Sequence, residues 1–413
     1  MKKKILIVDD SALMRRVLCD IINSDDRFEV ADFAINGAEG FKLIVAHNYD
    51  AVVLDVYMPR MTGLEMLKEM QKSGVHANVM MASTTTAEGA RETLDALELG
   101  AIDFIKKPEN VADARHDEFK ERFLSILEVV ANSRQATRRP TVGISEERPR
   151  TFATRYDVNF HTKGESDIKR LQDAGISRTG HAGDGLHAKS TAGNVAASSH
   201  ATVQAATPAQ VTLRSHTAVA GEKIVAIASS TGGPRALHDV IPKLPGNLNA
   251  PVLLVQHMPK GFTKSLAERL DALSEIKVTE AEDGEVIEKG HVYIAPGGQH
   301  MQLMKKPGGS YAIKLTDEPP REGVKPCANY MYESLMDSDF AEITCAVLTG
   351  MGADGTAGIK ALDSKKKIYC VAQDEDTCTV YGMPKAIAKA GLCNSVVPLL
   401  SVADQIIKNV GVR

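Results

Sequence analysis

The chain has 413 residues, of which 43% are hydrophobic and 25% charged, with a net charge of −4. That length exceeds one hydrophobic core and asks for two domains, and the charge balance offers no basic excess for nucleic acid. No apolar run reaches the ~18 residues of a membrane span, so no membrane insertion is expected. The opening MKKKILIVDD puts lysines before an apolar run, but Asp9 and Asp10 interrupt it too early for a signal peptide. Six cysteines, Cys19, Cys327, Cys345, Cys370, Cys378 and Cys393, lack C-x-x-C spacing and read as reduced thiols of a soluble cytoplasmic protein.

Residues 4–109 alternate two patterns. KILIV (4–8), FEVAD (28–32), AVVLD (51–55), NVMMA (78–82) and AIDFI (101–105) are short apolar strands. Amphipathic runs at 13–23, 37–46, 64–72 and 86–99 separate them. Repeats of this length predict a doubly wound parallel sheet. Asp9 and Asp10 then end the first strand and Asp55 the third, Ser83 and Thr84 follow the fourth, and Lys107 follows the fifth, before Pro108. Carboxylates gathered at one sheet edge favour a divalent cation with oxygen ligands, most simply Mg²⁺. A metal-neutralised carboxylate can attack phosphorus to give an acyl phosphate, and a lysine and a hydroxyl nearby can hold the added oxygens. Any one of these aspartates could equally be a helix cap; the five positions together point to the chemistry.

IVDD, LDVYMP, the Ser83 position and IKKP resemble a response-regulator receiver domain over residues 1 to about 125. The resemblance implies a flavodoxin-like fold, Asp55 as phospho-acceptor, and Asp9, Asp10 and Asp55 as the Mg²⁺ ligands. It also implies Ser83 and Lys107 as phosphoryl sensors, with Ser83 preferred to Thr84 on strand register, and Phe104 as the switching aromatic. A phosphoryl group adds roughly −1.5 to −2 charges, enough to bias an element between two arrangements.

Residues 118–131 predict one more helix. From Thr137 to Gly221 the periodicity fails, and Ala, Ser, Thr, Gly, His and charged residues dominate. Such a stretch buries too little apolar surface to offset chain entropy and reads as a long disordered linker, with 126–220 assigned as helix end and linker. Its histidines, His161, His181, His187, His200 and His216, lack the close spacing of a zinc site.

The α/β pattern resumes over 221–413. IVAIA (224–228) is a buried strand that stops at Ser229-Ser230-Thr231, turns on Gly232-Gly233 and continues as the helix-spaced PRALHDVIPKL. PVLLVQH (251–257) is a strand, followed by a helix at 264–273 and shorter strands near 277–280, 291–295, 300–305 and 311–315. A helix at 328–336, the strand TCAVLTG (344–350), a helix at 353–360, the strand KIYCV (367–371) and a helix at 401–408 complete a second doubly wound, Rossmann-like domain. SSTGGP is neither the nucleophile elbow G-x-S-x-G nor a P-loop. Ser230, His257 in LLVQHMPKGFT and Asp354 in AVLTGMGADG each stand at a strand end, where open α/β sheets place ligands. A serine becomes a nucleophile when an imidazole takes its proton, and a carboxylate fixes the imidazole tautomer. His257 could instead be a histidine satisfied under a loop, and Asp354 a turn or helix cap.

SSTGGP, QHMPKGFT, VYIAPGGQHM and LTGMGADG resemble the catalytic domain of the chemotaxis protein-glutamate methylesterases, the CheB family. The resemblance implies a nucleophile Ser230, a general base His257 and an orienting Asp354, with the Met351 N–H in the oxyanion hole and Thr231 beside the site. It implies no cofactor for the esterase. Three segments depart from the family pattern. Its G-A-S-T-G-G reads Ala228-Ser229-Ser230-Thr231-Gly232-Gly233, where register favours Ser230 over the adjacent Ser229 as nucleophile. Its A-P-G-D-x-H-M reads Ala295-Pro296-Gly297-Gly298-Gln299-His300-Met301, and its Pro-Ser-Val-Asp reads Pro326-Cys327-Ala328-Asn329. The expected activity is phosphorylation-stimulated hydrolysis of glutamate methyl esters on chemoreceptors, with deamidation of receptor glutamines and a chemotaxis histidine kinase as phosphodonor. A non-catalytic module that binds receptor or kinase is the rival; a transcriptional regulator fails for want of a helix-turn-helix unit.

Overall fold

The computed structural model describes residues 1–83, 86–108, 117–133 and 213–413. The apolar runs of the first domain form β1 (Lys3–Val8), β2 (Phe28–Ala34), β3 (Ala51–Asp55), β4 (Val79–Ser83) and β5 (Asp103–Lys106). All pair in parallel, in the order β2-β1-β3-β4-β5. Every residue of β3 and β4 is buried, as strands covered on both faces require. The helices are α1 (Ala12–Asn23), α2 (Gly37–Ala46), α3 (Gly63–Lys72), α4 (Ala87–Glu98) and α5 (Asp117–Ala131). Ser11, Asn36, Thr62 and Thr86 cap the first four through side-chain oxygens, and Thr62 with Glu65 forms a capping box.

The second sheet contains β6 (Lys223–Ser229), β7 (Val252–Gln256), β8 (Lys277–Glu280), β9 (His291–Ile294), β12 (Glu342–Val347), β13 (Ile368–Gln373) and β14 (Ser395–Val397). Its order is β14-β13-β12-β6-β7-β9-β8, again wholly parallel. Around it lie α6 (Gly233–Val240), α7 (Phe262–Leu273), α8 (Ala328–Ser334), α9 (Thr356–Asp363), α10 (Met383–Lys389) and α11 (Val402–Val410). Two runs read as strands of this domain, β10 (His300–Lys305) and β11 (Tyr311–Thr316), stand apart as an antiparallel hairpin. Pro307-Gly308-Gly309 between them supplies the turn, and the exposed Met304 and Lys314 leave one face wet. The helix expected from Ala353 begins only at Thr356, because Gly355 takes a left-handed φ of 91° and serves as its N-cap. That leaves Asp354 on the turn.

Both sheets belong to one compact unit. One core cluster packs β1, β3 and β4 on the α3–α4 side and runs on, through Leu97, Ala101, Phe104 and Phe262, beneath α6 and α7. A second fills the far side of the second sheet, and a third lies between the first sheet and α1 and α5. The expected linker lies outside the described residues except for 213–221. There Arg214 donates its N–H to Cys393 O and pairs with Asp363, while His216 Nε2 lies 2.7 Å from Glu342 Oε1. His161, His181, His187 and His200 are outside the described residues. Among those described, no helix is long and apolar enough to cross a membrane.

Candidate active sites

At the carboxyl edge of the first sheet, Asp9, Asp10 and Asp55 each offer an oxygen within 4.8 Å of the others. Lys107 Nζ lies 2.7 Å from Asp9 Oδ2 and 2.6 Å from Asp55 Oδ2. Burial pushes the Asp55 carboxyl up; Lys107 offsets part of that and Asp9 adds to it, leaving the pKa at about 6. Three carboxylates facing one ammonium keep an excess of negative charge on hard oxygen ligands, a donor set that fits Mg²⁺. Ser83 is fully buried. Its hydroxyl donates to Gly89 O at 3.2 Å and accepts from Thr93 at 2.6 Å, so two of its partners lie on α4. Thr84, the other hydroxyl weighed for this role, is outside the described residues.

In the second sheet the strand order places β6, which leads to Ser230, between β12, which leads to Asp354, and β7, which leads to His257. Register pairs Ser229 with Gln256, which makes Ser230 and His257 the next pair along. The turn after Ser230 is tight for a physical reason. Gly232 has φ 74°, and a Cβ on Gly233 would fall 2.0 Å from Gln256 Oε1. Of the two adjacent serines, Ser229 is fully buried and donates to Gln256 Oε1 at 2.7 Å, whereas Ser230 is half-buried just past the strand. Gln256 Nε2 donates to the carbonyls of both Ser230 and His257, at 3.0 and 3.3 Å. It thereby ties the two loops together.

His257 Nε2 lies 2.8 Å from Asp354 Oδ2. The same oxygen accepts the Ala328 N–H at 2.6 Å, while Oδ1 accepts from Cys327 Sγ at 3.1 Å, Asn329 N at 3.0 Å and Gly355 N at 2.8 Å. Burial alone would raise this carboxyl, but the bonds from His257, Ala328 and Cys327 hold it down at about 2. Asp354 is therefore a fixed anion, and His257 carries its proton on the nitrogen facing it. Gln256 carries no role in the sequence reading, and Cys327 and Asn329 stand there only as a departing segment near which the resemblance places substrate contacts. Their signal was faint: a polar residue just before a strand-end histidine, and a segment that departs from the family pattern.

Family models match both halves, a response regulator receiver domain over residues 5–116 and a CheB methylesterase over 225–406. A protein-glutamate methylesterase/protein-glutamine glutaminase from Geobacillus kaustophilus is 37% identical over 409 residues, 99% of this chain and 99% of its own length. The chain belongs to that family. A counterpart from Pyrococcus abyssi is 37% identical over 99% of this chain and 94% of its own. The crystal structure of the Thermotoga maritima CheB methylesterase catalytic domain is 41% identical, covering 46% of this chain and 99% of that one, with a TM-score of 0.43.

The receiver domain sits directly on the esterase edge. Asp103 Oδ2 accepts the Thr231 hydroxyl, one residue from Ser230, and burial raises the Asp103 pKa although the Thr231 bond opposes it. The next residue, Phe104, stacks on Phe262 with ring centroids 4.6 Å apart. Phe262 starts the helix that follows the His257 loop. On α5, Ser125 Oγ lies 3.5 Å from Met351 Sδ. Beyond the site, Arg269 on α7 pairs with Asp95 and Glu98 on α4, and Arg91 pairs with Glu268. His238 Nδ1 lies 3.2 Å from Glu98 Oε1 without hydrogen-bond alignment.

Proposed function

We propose that the Ser230 edge hydrolyses glutamate methyl esters on methyl-accepting chemoreceptors, and that the receiver domain holds it in check until Asp55 is phosphorylated. The observation that carries the reading is the His257–Asp354 pair, formed across the strand that leads to Ser230. Asp354 engages Nε2, so Nδ1 of His257 is the nitrogen left to take the Ser230 proton. Ser230 Oγ attacks the ester carbonyl, and the developing oxyanion is held by the Met351 N–H. Imidazolium returns its proton to the leaving methoxide, releasing methanol and leaving a glutamyl-serine ester. Water, deprotonated by His257, then cleaves that ester to glutamate and free enzyme. With a receptor glutamine the leaving group is ammonia, and the remaining steps are the same.

In the receiver domain Asp55 accepts the phosphoryl group from a chemotaxis histidine kinase. Asp9, Asp10 and Asp55 would hold Mg²⁺, which would supply charge neutralisation for phosphoryl transfer. Lys107 moves from its carboxylate partners to the phosphoryl oxygens, and Ser83 turns from α4 toward them. That rearrangement acts on β5, where Asp103 and Phe104 hold Thr231 and Phe262. Two adjacent receiver residues thus restrain the serine loop and the histidine loop. Their release needs a few kcal/mol of differential contact.

The test is methanol release from methylated receptor membranes, with and without a small phosphodonor, for the wild type, Ser230→Ala and Asp55→Ala. Release should vanish in Ser230→Ala and respond to phosphodonor only where Asp55 is present. Release that ignores the phosphodonor would keep the esterase and overturn the control by the receiver. No release from any variant would leave a binding module.

A further inference from the structure

The segment Cys327-Ala328-Asn329, one of those that depart from the family pattern, is the floor beneath Asp354. Cys327 and Asn329 are fully buried. Three consecutive residues donate to the Asp354 carboxylate: Cys327 through its thiol, Ala328 and Asn329 through their N–H groups. Asn329 also grips the turn that carries the carboxylate, because its Oδ1 accepts from Gly355 N at 3.0 Å and Gly358 N at 2.7 Å. Its Nδ2 donates to Glu322 Oε1 at 3.2 Å, which fixes the amide orientation. The far end is pinned as well, since the Cys327 N–H donates to His300 Nδ1 at 3.2 Å while His300 Nε2 meets Pro319 O at 3.1 Å.

We propose that Cys327 and Asn329 are positioning residues for hydrolysis, holding Asp354 at the angle and charge that the His257 imidazole requires. This rests on the reading of Ser230, His257 and Asp354 as the reacting set. A carboxylate on a turn has several rotamers, and only one aims an oxygen at Nε2. The Asn329 side chain fixes the turn, and the Cys327 thiol fixes the second oxygen. The thiol is suited to donate and unsuited to react: burial, with Asp354 beside it, pushes its pKa up to about 12. The two departures from the family pattern therefore keep hydrogen-bonding capacity. A thiol donates where a hydroxyl is common, and an amide oxygen accepts where a carboxylate is common. With Glu322 3.2 Å from its Nδ2, the neutral amide also avoids a second buried anion.

The consequence has a sign. Removing the Cys327 donor leaves more negative charge on Asp354 to attract the imidazolium, so the His257 ring should titrate at higher pH and the acid limb of kcat/KM should move with it. Other ionisable groups nearby are His300 and Glu322, beyond Cys327 and Asn329, Arg321 near Cys327, Tyr332 near Asp354, and Lys260 on the histidine's own loop. None is altered by the variants.

The experiment uses the full chain with ¹³C-labelled histidine. It follows the His257 resonance, assigned through His257→Gln, across pH in wild type, Cys327→Ala and Cys327→Ser, alongside kcat and KM for methanol release. In Cys327→Ala the ring titration should rise by about half a pH unit, and kcat should fall by roughly 3–10-fold at unchanged KM. Cys327→Ser, which keeps a donor, should restore both. Asn329→Ala should cost more, roughly 10–100-fold in kcat, with Asn329→Asp recovering part of it. A ring titration identical in wild type and Cys327→Ala would reduce Cys327 to packing and overturn the proposal for it. If the wild type released no methanol, the hydrolase reading would fall, whereas the ring titration would still decide whether Cys327 governs the Asp354–His257 pair.

Discussion

Asp55 and Asp354 stand at equivalent places, each at or beyond the carboxyl end of a strand in a parallel sheet, and each is 4% exposed. Their acidities lie on opposite sides of an ordinary aspartate. Burial raises Asp55 to about 6, with the Lys107 ammonium offsetting only part of the cost and Asp9 adding to it. Asp354 suffers the same burial but ends at about 2, because the His257 ring, three N–H groups and a thiol converge on its two oxygens. Burial alone therefore predicts neither. The supply of donors decides. A buried carboxylate short of donors resists the anionic form until a cation joins it, and one saturated with donors stays an anion.

The largest effect should come from breaking the saturated site. Asp354→Asn keeps the shape but removes the charge that holds the His257 tautomer, and kcat for methanol release should fall by about 10⁴. The same variant should expose the stability linked to Asp354. Its folded pKa lies below the unfolded value, so the wild type gains stability that is fully present above about pH 4 and lost as pH falls toward 2. Denaturant titrations of wild type and Asp354→Asn should differ by about 2 kcal/mol near neutrality, with the gap narrowing through that window.

Asp55→Asn should show the opposite sign. Below about pH 4 the carboxyl is protonated in both folded and unfolded chains and costs nothing. As pH rises from about 4 to 6 the unfolded chain ionises first, and the folded wild type loses ground. Above pH 6, Asp55→Asn should be the more stable protein by about 3 kcal/mol. Addition of Mg²⁺ should raise the wild-type melting temperature more than that of Asp55→Asn. An equal rise in the two would remove Asp55 from the ligand set.

Both sheets were legible in the sequence because strands buried on two faces read as unbroken apolar runs, as in VVLD (52–55) and IVAIA (224–228). The positions of the candidate site residues were legible for a related reason: a polar residue that stops such a run, such as Asp55 or His257, stands at the sheet edge. Less was visible where a role depends on backbone groups brought in from elsewhere. Nothing in Pro326-Cys327-Ala328-Asn329 shows that three of its residues donate to Asp354, since that follows from where the start of α8 is packed. The hairpin β10–β11 is visible in the sequence only as two strands, because its apolar alternation is that of any half-buried strand, in a sheet or out of it. The domain contact was hidden too. Asp95 and Glu98 on α4 and Arg269 on α7 look like solvated helix faces until the helices meet.

Those three charges offer the smallest and most selective test. Arg269 sits well away from the serine edge and joins α7 to α4 through two acids, with part of its side chain still in water. Such a partly exposed pair contributes about 1 kcal/mol or less. Arg269→Ala should therefore weaken the closed arrangement slightly and leave the reacting groups alone. The phosphodonor-independent rate of methanol release should rise by roughly 2–5-fold, and the rate with saturating phosphodonor should stay the same, because domains already parted gain nothing from the loss. Added salt should raise the resting rate of the wild type and act less on Arg269→Ala. A matching rise in both rates would mean that Arg269 acts on the esterase domain itself. An unchanged resting rate would mean that the closed state is held without Arg269, by contacts such as Asp103 on Thr231 and Phe104 on Phe262, beside the very loops they restrain.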